Sequence, residues 1–244
     1  NIANHTINAV SPFDVVDLYF SENKNLRGRS PITELPLRFN KVTKNFYCQE
    51  NALTDLKGCP IEVGGSFYCD DNSLTTLKGG PVKVGKHFSS KHNLLTSLEF
   101  APQSVGEDFI FQRNLLTTLE GCPKEIGGDI NCQYNRLTSF EFGPEKVGGN
   151  FTFDGNQIEN FDFTPNSIKG NMYFNGNPIG FIFSNVDMDF LRAFKAYRIL
   201  KDGVINLKRL QYLMDEYNRP IRLDKIKKHY IIRWALKNFV INIK

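Results

Sequence analysis

The stretch FYCDDNSLTTLKGGPVKVGKH at residues 67 to 87 carries the residue types that metal and phosphate chemistry use. Cys69 stands before Asp70 and Asp71, a thiol and two carboxylates that could serve as ligands. Gly80 to Lys86 spells G-x-x-x-x-G-K, most of a loop whose amides and Lys cradle phosphates. Neither pattern is complete. Lys86 is followed by His87 where a phosphate loop needs Ser or Thr, and the segment leads toward a strand pattern where such a loop opens a helix. The five cysteines include no C-x-x-C pair, and no ligand spacing converges on one point. His87 and His92 flank one short segment with Lys91 between them, and no nucleophile or paired carboxylate is aimed at either. No catalytic residue, metal ligand or cofactor is therefore expected, and the chain reads as a non-enzyme.

What places these residues is a repeat. Asn51, Asn72, Asn93, Asn114, Asn135, Asn156 and Asn177 recur every 21 residues without insertion or deletion. Five residues before each Asn stand Phe46, Phe67, Phe88, Phe109, Ile130, Phe151 and Met172. Two after it come Leu53, Leu74, Leu95, Leu116, Leu137, Ile158 and Ile179, and five after it Leu56, Leu77, Leu98, Leu119, Phe140, Phe161 and Ile182. A fourth apolar row, nine residues before the Asn, runs from Val42 to Ile168. The segment SPITEL matches the same register as a degenerate first unit, with Ser30 at the Asn position. Cys48, Cys69 and Cys132 then fall on a ladder that Phe111, Phe153 and Phe174 share, so they read as core.

The unit F-x-C-x-x-N-x-L-T-x-L is similar to the leucine-rich repeat motif L-x-L-x-x-N-x-L over residues 30 to 183. That resemblance implies an α/β-type solenoid, a horseshoe with a parallel β-sheet on its concave face. The residues point the same way. Alternation around the Asn predicts one short strand per coil, and identical coils stack their strands in parallel. A 21-residue coil leaves no room for a crossover helix, and Pro60, Pro81, Pro102, Pro123, Pro144 and Pro165 predict an extended or 3₁₀ convex side. The Asn amides are expected to satisfy backbone groups where the chain leaves the strand. Glycines such as Gly64–Gly65 and Gly127–Gly128 are expected to make the tight turn back.

Three segments follow: an N-terminal arm or cap at 1–29, with FDVVDLYF at 13 to 20 read as a short helix; about eight solenoid coils at 30–183; and a basic helical cap at 184–244. Apolar spacing in the last segment predicts three helices, around Phe190 to Tyr197, Leu207 to Met214 and Ile226 to Trp234, with Asn206 and Asp224 as caps. Residues 185 to 244 hold 14 Lys and Arg against 6 Asp and Glu, a net of +8, within a chain of net +4. Arg219, Arg222, Lys225, Lys227, Lys228, Arg233 and Lys237 offer a phosphate-contacting face, which makes nucleic-acid binding an alternative reading.

The surface that the repeat does not dictate carries the leading functional expectation. Outward positions beside each strand should line the concave face, with Tyr47, Tyr68, Asp70, Asp71, Lys91, His92, Ile110, Gln112, Arg113, Gln133 and Tyr134 as partner-binding residues. Tyr, Arg and an apolar residue on one face are the types that dominate protein interfaces. A non-enzymatic module gripping a protein partner is expected, with no membrane contact. No run approaches 18 apolar residues, no secretory leader is evident, and the odd cysteine count fits a reducing compartment, so the cytoplasm is expected. A start at Asn1 in place of Met leaves room for a removed N-terminal segment. The coil wording LTTLEGCPKEIGGDINCQYNRLTSFEFGPEKVGGNF, followed by a Lys-rich tail, resembles repeat proteins of large tailed bacteriophages and some bacteria. That resemblance implies a host-cytoplasm or virion setting, with a host protein as target or a structural role in the particle as the alternative.

Overall fold

The computed structural model describes residues 6–7, 18–19, 31–35, 38–159, 161–178, 188–201, 204–205 and 207–217. The third helix expected around Ile226 to Trp234, both proposed helix caps, and Ile179 and Ile182 lie outside them. Described residues 38–178 form a β-solenoid in which every coil contributes to two parallel sheets. The first, here the Phe sheet, has eight two-residue strands: Leu18–Tyr19, Phe46–Tyr47, Phe67–Tyr68, Phe88–Ser89, Phe109–Ile110, Ile130–Asn131, Phe151–Thr152 and Met172–Tyr173. The second, the Val sheet, has seven, from Lys41–Val42 through Glu62–Val63 and Lys83–Val84 to Ser167–Ile168. From Lys41 onward each strand pairs in register with the residues 21 positions on, as in Phe67 with Phe88 and Val63 with Val84, whereas Leu18 pairs with Phe46.

Two expectations are corrected here. The return path was expected to lack a strand, yet the Val row forms a second sheet, because alternate backbone groups there pair with the next coil once Val42, Val63 and Val84 are buried. The helix expected over residues 13 to 20 is also absent at its end, since Leu18–Tyr19 is a strand lying parallel to Phe46–Tyr47. Pairing there continues the sheet past the first complete repeat and covers an edge that would otherwise expose unpaired amides.

Inside, the rows named from sequence are the core. Phe46, Phe67, Phe88 and Phe109 are fully buried, with neighbouring rings 5.4–5.5 Å apart. Aromatic pairs of this kind contribute roughly 0.5–1.5 kcal/mol beyond their buried area. All five cysteines are buried free thiols. Burial pushes the Cys59, Cys69 and Cys132 thiols up, and that of Cys122 to about 12, so these four are poor nucleophiles and poor metal ligands.

The Asn row ties each coil to its neighbours on both sides. Asn72 Nδ2 donates to the Cys69 and Asp70 carbonyls of its own coil, at 3.1 Å each, and to the Cys48 carbonyl of the coil before, at 2.9 Å. Its Oδ1 accepts the Leu53 N–H at 3.0 Å. Asn93, Asn114, Asn135 and Asn156 repeat this pattern. A second side-chain ladder, not foreseen in the sequence, runs along the turn between the sheets. Asn45 Oδ1 accepts the Ser66 N–H, Asp108 Oδ1 the Asp129 N–H, Asp129 Oδ1 the Asn150 N–H and Asn150 Oδ1 the Asn171 N–H, at 2.6–2.9 Å.

Glycine in that same turn is needed for a different reason from the one expected. Gly85, Gly106, Gly127 and Gly148 have no left-handed backbone; instead a Cβ on Gly85 would stand 2.1 Å from the Gly64 carbonyl oxygen, and the others are as tight. Close stacking of coil on coil excludes a side chain there.

After the last described coil come helix α1 (Met188–Ala196), an antiparallel pair Leu200–Lys201 with Val204–Ile205, and helix α2 (Leu207–Glu216). Helix α1 turns Phe190, Leu191 and Phe194 inward. Phe194 meets Phe161 edge-on at 5.7 Å, and Lys195 Nζ donates to Thr164 Oγ1 at 2.6 Å, so α1 covers apolar groups that the final coil would otherwise expose.

Asn114→Ala tests the amide ladder. It leaves the buried Leu95 N–H and the Ser90 and Phe111 carbonyls short of partners. The expected loss in urea unfolding is about 3 kcal/mol, from an unsatisfied buried donor plus lost bonds. A loss below about 1 kcal/mol would show that the ladder does not hold the coils.

Candidate functional site

The outward side of the Phe sheet continues beyond its two-residue strands. Cys48 N–H donates to the Tyr68 carbonyl at 2.8 Å and Glu50 N–H to the Asp70 carbonyl at 3.0 Å, so donors point toward the following coil. Two residues later the direction is reversed, and Ala52 N–H donates to Ile32 in the preceding coil. Between these two donors the backbone must turn over, and the first of them supplies the turn. Glu50, Asp71, His92, Arg113 and Tyr134 do so with φ of 57°, 52°, 55°, 55° and 54°. Gly155 and Gly176 take the same place in the next two coils, with φ of 67° and 73°.

This left-handed row was missed from sequence, although Gly155 and Gly176 in register with five large residues were its signal. For a non-glycine residue the left-handed region costs roughly 1–2 kcal/mol. Asp and His tolerate it better than most residues, whereas Glu, Arg and Tyr have no such allowance. All but the half-buried Glu50 are exposed, Tyr134 by 52%. Along the row the chemistry changes in order: two carboxylates, an imidazole, a guanidinium and a phenol. Asp71 Oδ1 lies 3.3 Å from His92 Nδ1, and the Arg113 guanidinium sits 4.8 Å over the Tyr134 ring.

The remaining residues singled out in the sequence are placed unevenly. Tyr47 and Tyr68 stack at 5.2 Å and are half-buried, as are Lys91, Ile110, Gln112 and Gln133. Gln133 Nε2 donates to Asp154 Oδ2 at 2.7 Å. Asp70, expected to face outward, is buried: it accepts the Ser89 hydroxyl at 2.5 Å and the Lys91 N–H at 3.0 Å, with Lys91 Nζ at 3.6 Å. Its carboxylate is therefore spent on joining two coils. Arg219, Arg222, Lys225, Lys227, Lys228, Arg233 and Lys237 all lie outside the described residues.

The phosphate-like segment is a piece of the solenoid. Lys83–Val84 is a Val-sheet strand, Gly85 is the stacked glycine, and Lys86 N–H donates to the Gly65 carbonyl before the next strand at Phe88–Ser89. His87 lies in the turn between Glu107 and Asp108, with Nε2 2.8 Å from the Glu107 carboxylate. Among the described residues no group of three or more His, Cys, Asp and Glu could hold a metal ion, and no helix is long and apolar enough to cross a membrane. Comparison of the chain with protein-family models, curated proteins and solved structures finds no match in any of the three.

Burial is the largest influence on Asp70 and raises its carboxyl above 3.8, against the pull of the Ser89 hydroxyl and Lys91. The native state holds that proton more tightly than the unfolded chain does. The stability this provides is full below pH 3.8 and is lost as pH rises through the raised native value. The melting temperature of Asp70→Asn relative to the parent chain should therefore climb as pH is raised from below 3.8 to neutral. A difference that stays flat with pH would show that Asp70 is not strained by burial.

Proposed function

We propose that the β-solenoid is a short leucine-rich-repeat-type scaffold whose left-handed row is the heart of a protein-binding face. One observation carries the reading: Glu50, Asp71, His92, Arg113 and Tyr134 occupy a backbone position that Gly155 and Gly176 fill without strain. Strained, exposed and chemically varied residues on one line are costly to the fold, and such outliers concentrate at functional sites. The stacked Tyr47–Tyr68 pair and half-buried Ile110, three residues before the row in their coils, add partly exposed apolar area.

Order along the row sets the partner's character. Carboxylates in the early coils favour positive groups, and Arg113 two coils beyond Asp71 favours a carboxylate or carbonyl acceptor. Tyr134, held under the guanidinium, adds a rigid aromatic of the kind that anchors interfaces. The partner is a protein surface carrying charge of opposite sign at its two ends, and the module acts by gripping it without chemistry. A bacterial or bacteriophage setting, with a host protein as the target, follows from the wording of the repeat.

The triple variant Asp71→Gly, Arg113→Gly, Tyr134→Gly separates strain from function. Glycine suits the left-handed backbone, so thermal stability should stay level or rise, and the dominant protein captured from host lysate by the parent chain should be lost. Capture of the same proteins in the same amounts by the variant would contradict the proposal.

A further inference from the structure

The charges along the left-handed row follow an order with a symmetry of its own. Glu50 and Asp71 stand in two successive coils, His92 in the next and Arg113 in the one after. Arg136, exposed and two residues past Tyr134, continues the positive run in the coil that follows. Coils stack about 4.8 Å apart, so these five span about 19 Å along the solenoid. Each acidic coil lies as far before the coil of His92 as a basic coil lies after it. A pattern that changes sign about its midpoint becomes its own complement when turned end for end.

Neighbouring charges leave that pattern intact. Lys91 Nζ lies 3.6 Å from the buried Asp70 carboxylate, so these two offset each other within the chain. Asp154 stands one coil beyond the five and accepts Gln133 Nε2 at 2.7 Å. Asp71 touches the ring of His92 at 3.3 Å, and Arg113 lies over Tyr134 at 4.8 Å. Among the described residues neither Arg113 nor Arg136 takes part in an ion pair. The middle of the run also carries apolar area: Leu94, two residues after His92, is 48% exposed, and Leu115 in the next coil is half-buried. Apolar residues between charged ends match the order of an interface, with its apolar centre and polar rim.

We propose that the occupant of this row is a second copy of the same chain, docked antiparallel about a twofold axis at the coil of His92; this rests on reading the row as a protein-binding face. In a twofold contact, if one residue meets another, the second copy repeats that contact in reverse. Asp71 of each copy is then set against Arg113 of the other, and the coil of Glu50 against the coil of Arg136. Every acidic coil finds a basic one, and Leu94 falls at the axis beside its own copy. A parallel pairing would set Asp71 on Asp71 and Arg113 on Arg113, so like-charge repulsion selects the antiparallel arrangement.

Sedimentation velocity of the full chain, run across micromolar concentrations at low salt, tests the pairing. The parent chain should sediment as a dimer. Asp71→Arg and Arg113→Asp should each raise the dimer dissociation constant about tenfold or more, because each turns both symmetric attractions into repulsions. Both variants should melt as the parent does, since Asp and Arg already occupy this backbone position in the row. Mixed in equal amounts they should restore the dimer, because one copy then carries positive charge at both positions and the other negative charge at both. A parent chain that stays monomeric, variants that dimerise as the parent does, or a mixture that stays monomeric would each overturn the second copy in this register. Capture of a host protein by a monomeric parent, lost in the triple glycine variant, would overturn it too while leaving the protein-binding face standing.

Discussion

One side-chain amide per coil, accepting a backbone N–H through Oδ1 and donating to carbonyls in two coils through Nδ2, is the contact on which the solenoid rests. Backbone bonds from coil to coil run only as far as the residue before each Asn in one direction and resume after it in the other. Between Leu53 and Ile158 the chain must pass from one set of neighbours to another, and the amide fills the gap at each passage. Burial of the Phe and Leu rows around it keeps competing water away, so each bond counts for more than it would at a surface.

That arrangement divides every coil into residues that are committed and residues that are free. Inward rows and the two polar ladders are committed, and so is Asp70, whose carboxylate joins the strands of neighbouring coils. Left-handed corners are the exception. The chain needs positive φ at two places in each turn of the solenoid, and glycine would meet that need with no side chain at all. Where Glu50, Arg113 or Tyr134 stands at the first corner and Phe100, Phe142 or Phe163 at the second, a side chain is displayed at a cost to the fold. Those corners are where the side chain varies most from coil to coil.

Much of the fold was legible because the repeat has no insertion: identical spacing of seven Asn, Phe and Leu positions gives stacked coils, parallel pairing and the core directly. The Val sheet was hidden for a physical reason. Only every second residue of Lys41–Val42 or Glu62–Val63 is apolar, and two-residue strands carry no alternation long enough to read. The part played by Gly85 and its equivalents depends on a backbone approach that no single coil encodes. Asp70 could not be told from Asp71 in the sequence, since which neighbour is buried depends on the Ser89 hydroxyl one coil away. The corners were legible in principle, through Gly155 and Gly176 at one and Gly58, Gly79 and Gly121 at the other, once read as demands on φ in place of gaps in a motif.

Native-state amide hydrogen exchange tests the account most directly. The N–H groups of Leu53, Leu74, Leu95, Leu116 and Leu137 lie outside both sheets and are held only by Asn side chains of the following coil. If the amide ladder fastens the coils, these five should exchange as slowly as the Phe-sheet amides of Phe67, Phe88 and Phe109, opening only with the whole solenoid. Exchange at the rate of exposed loop amides would contradict it.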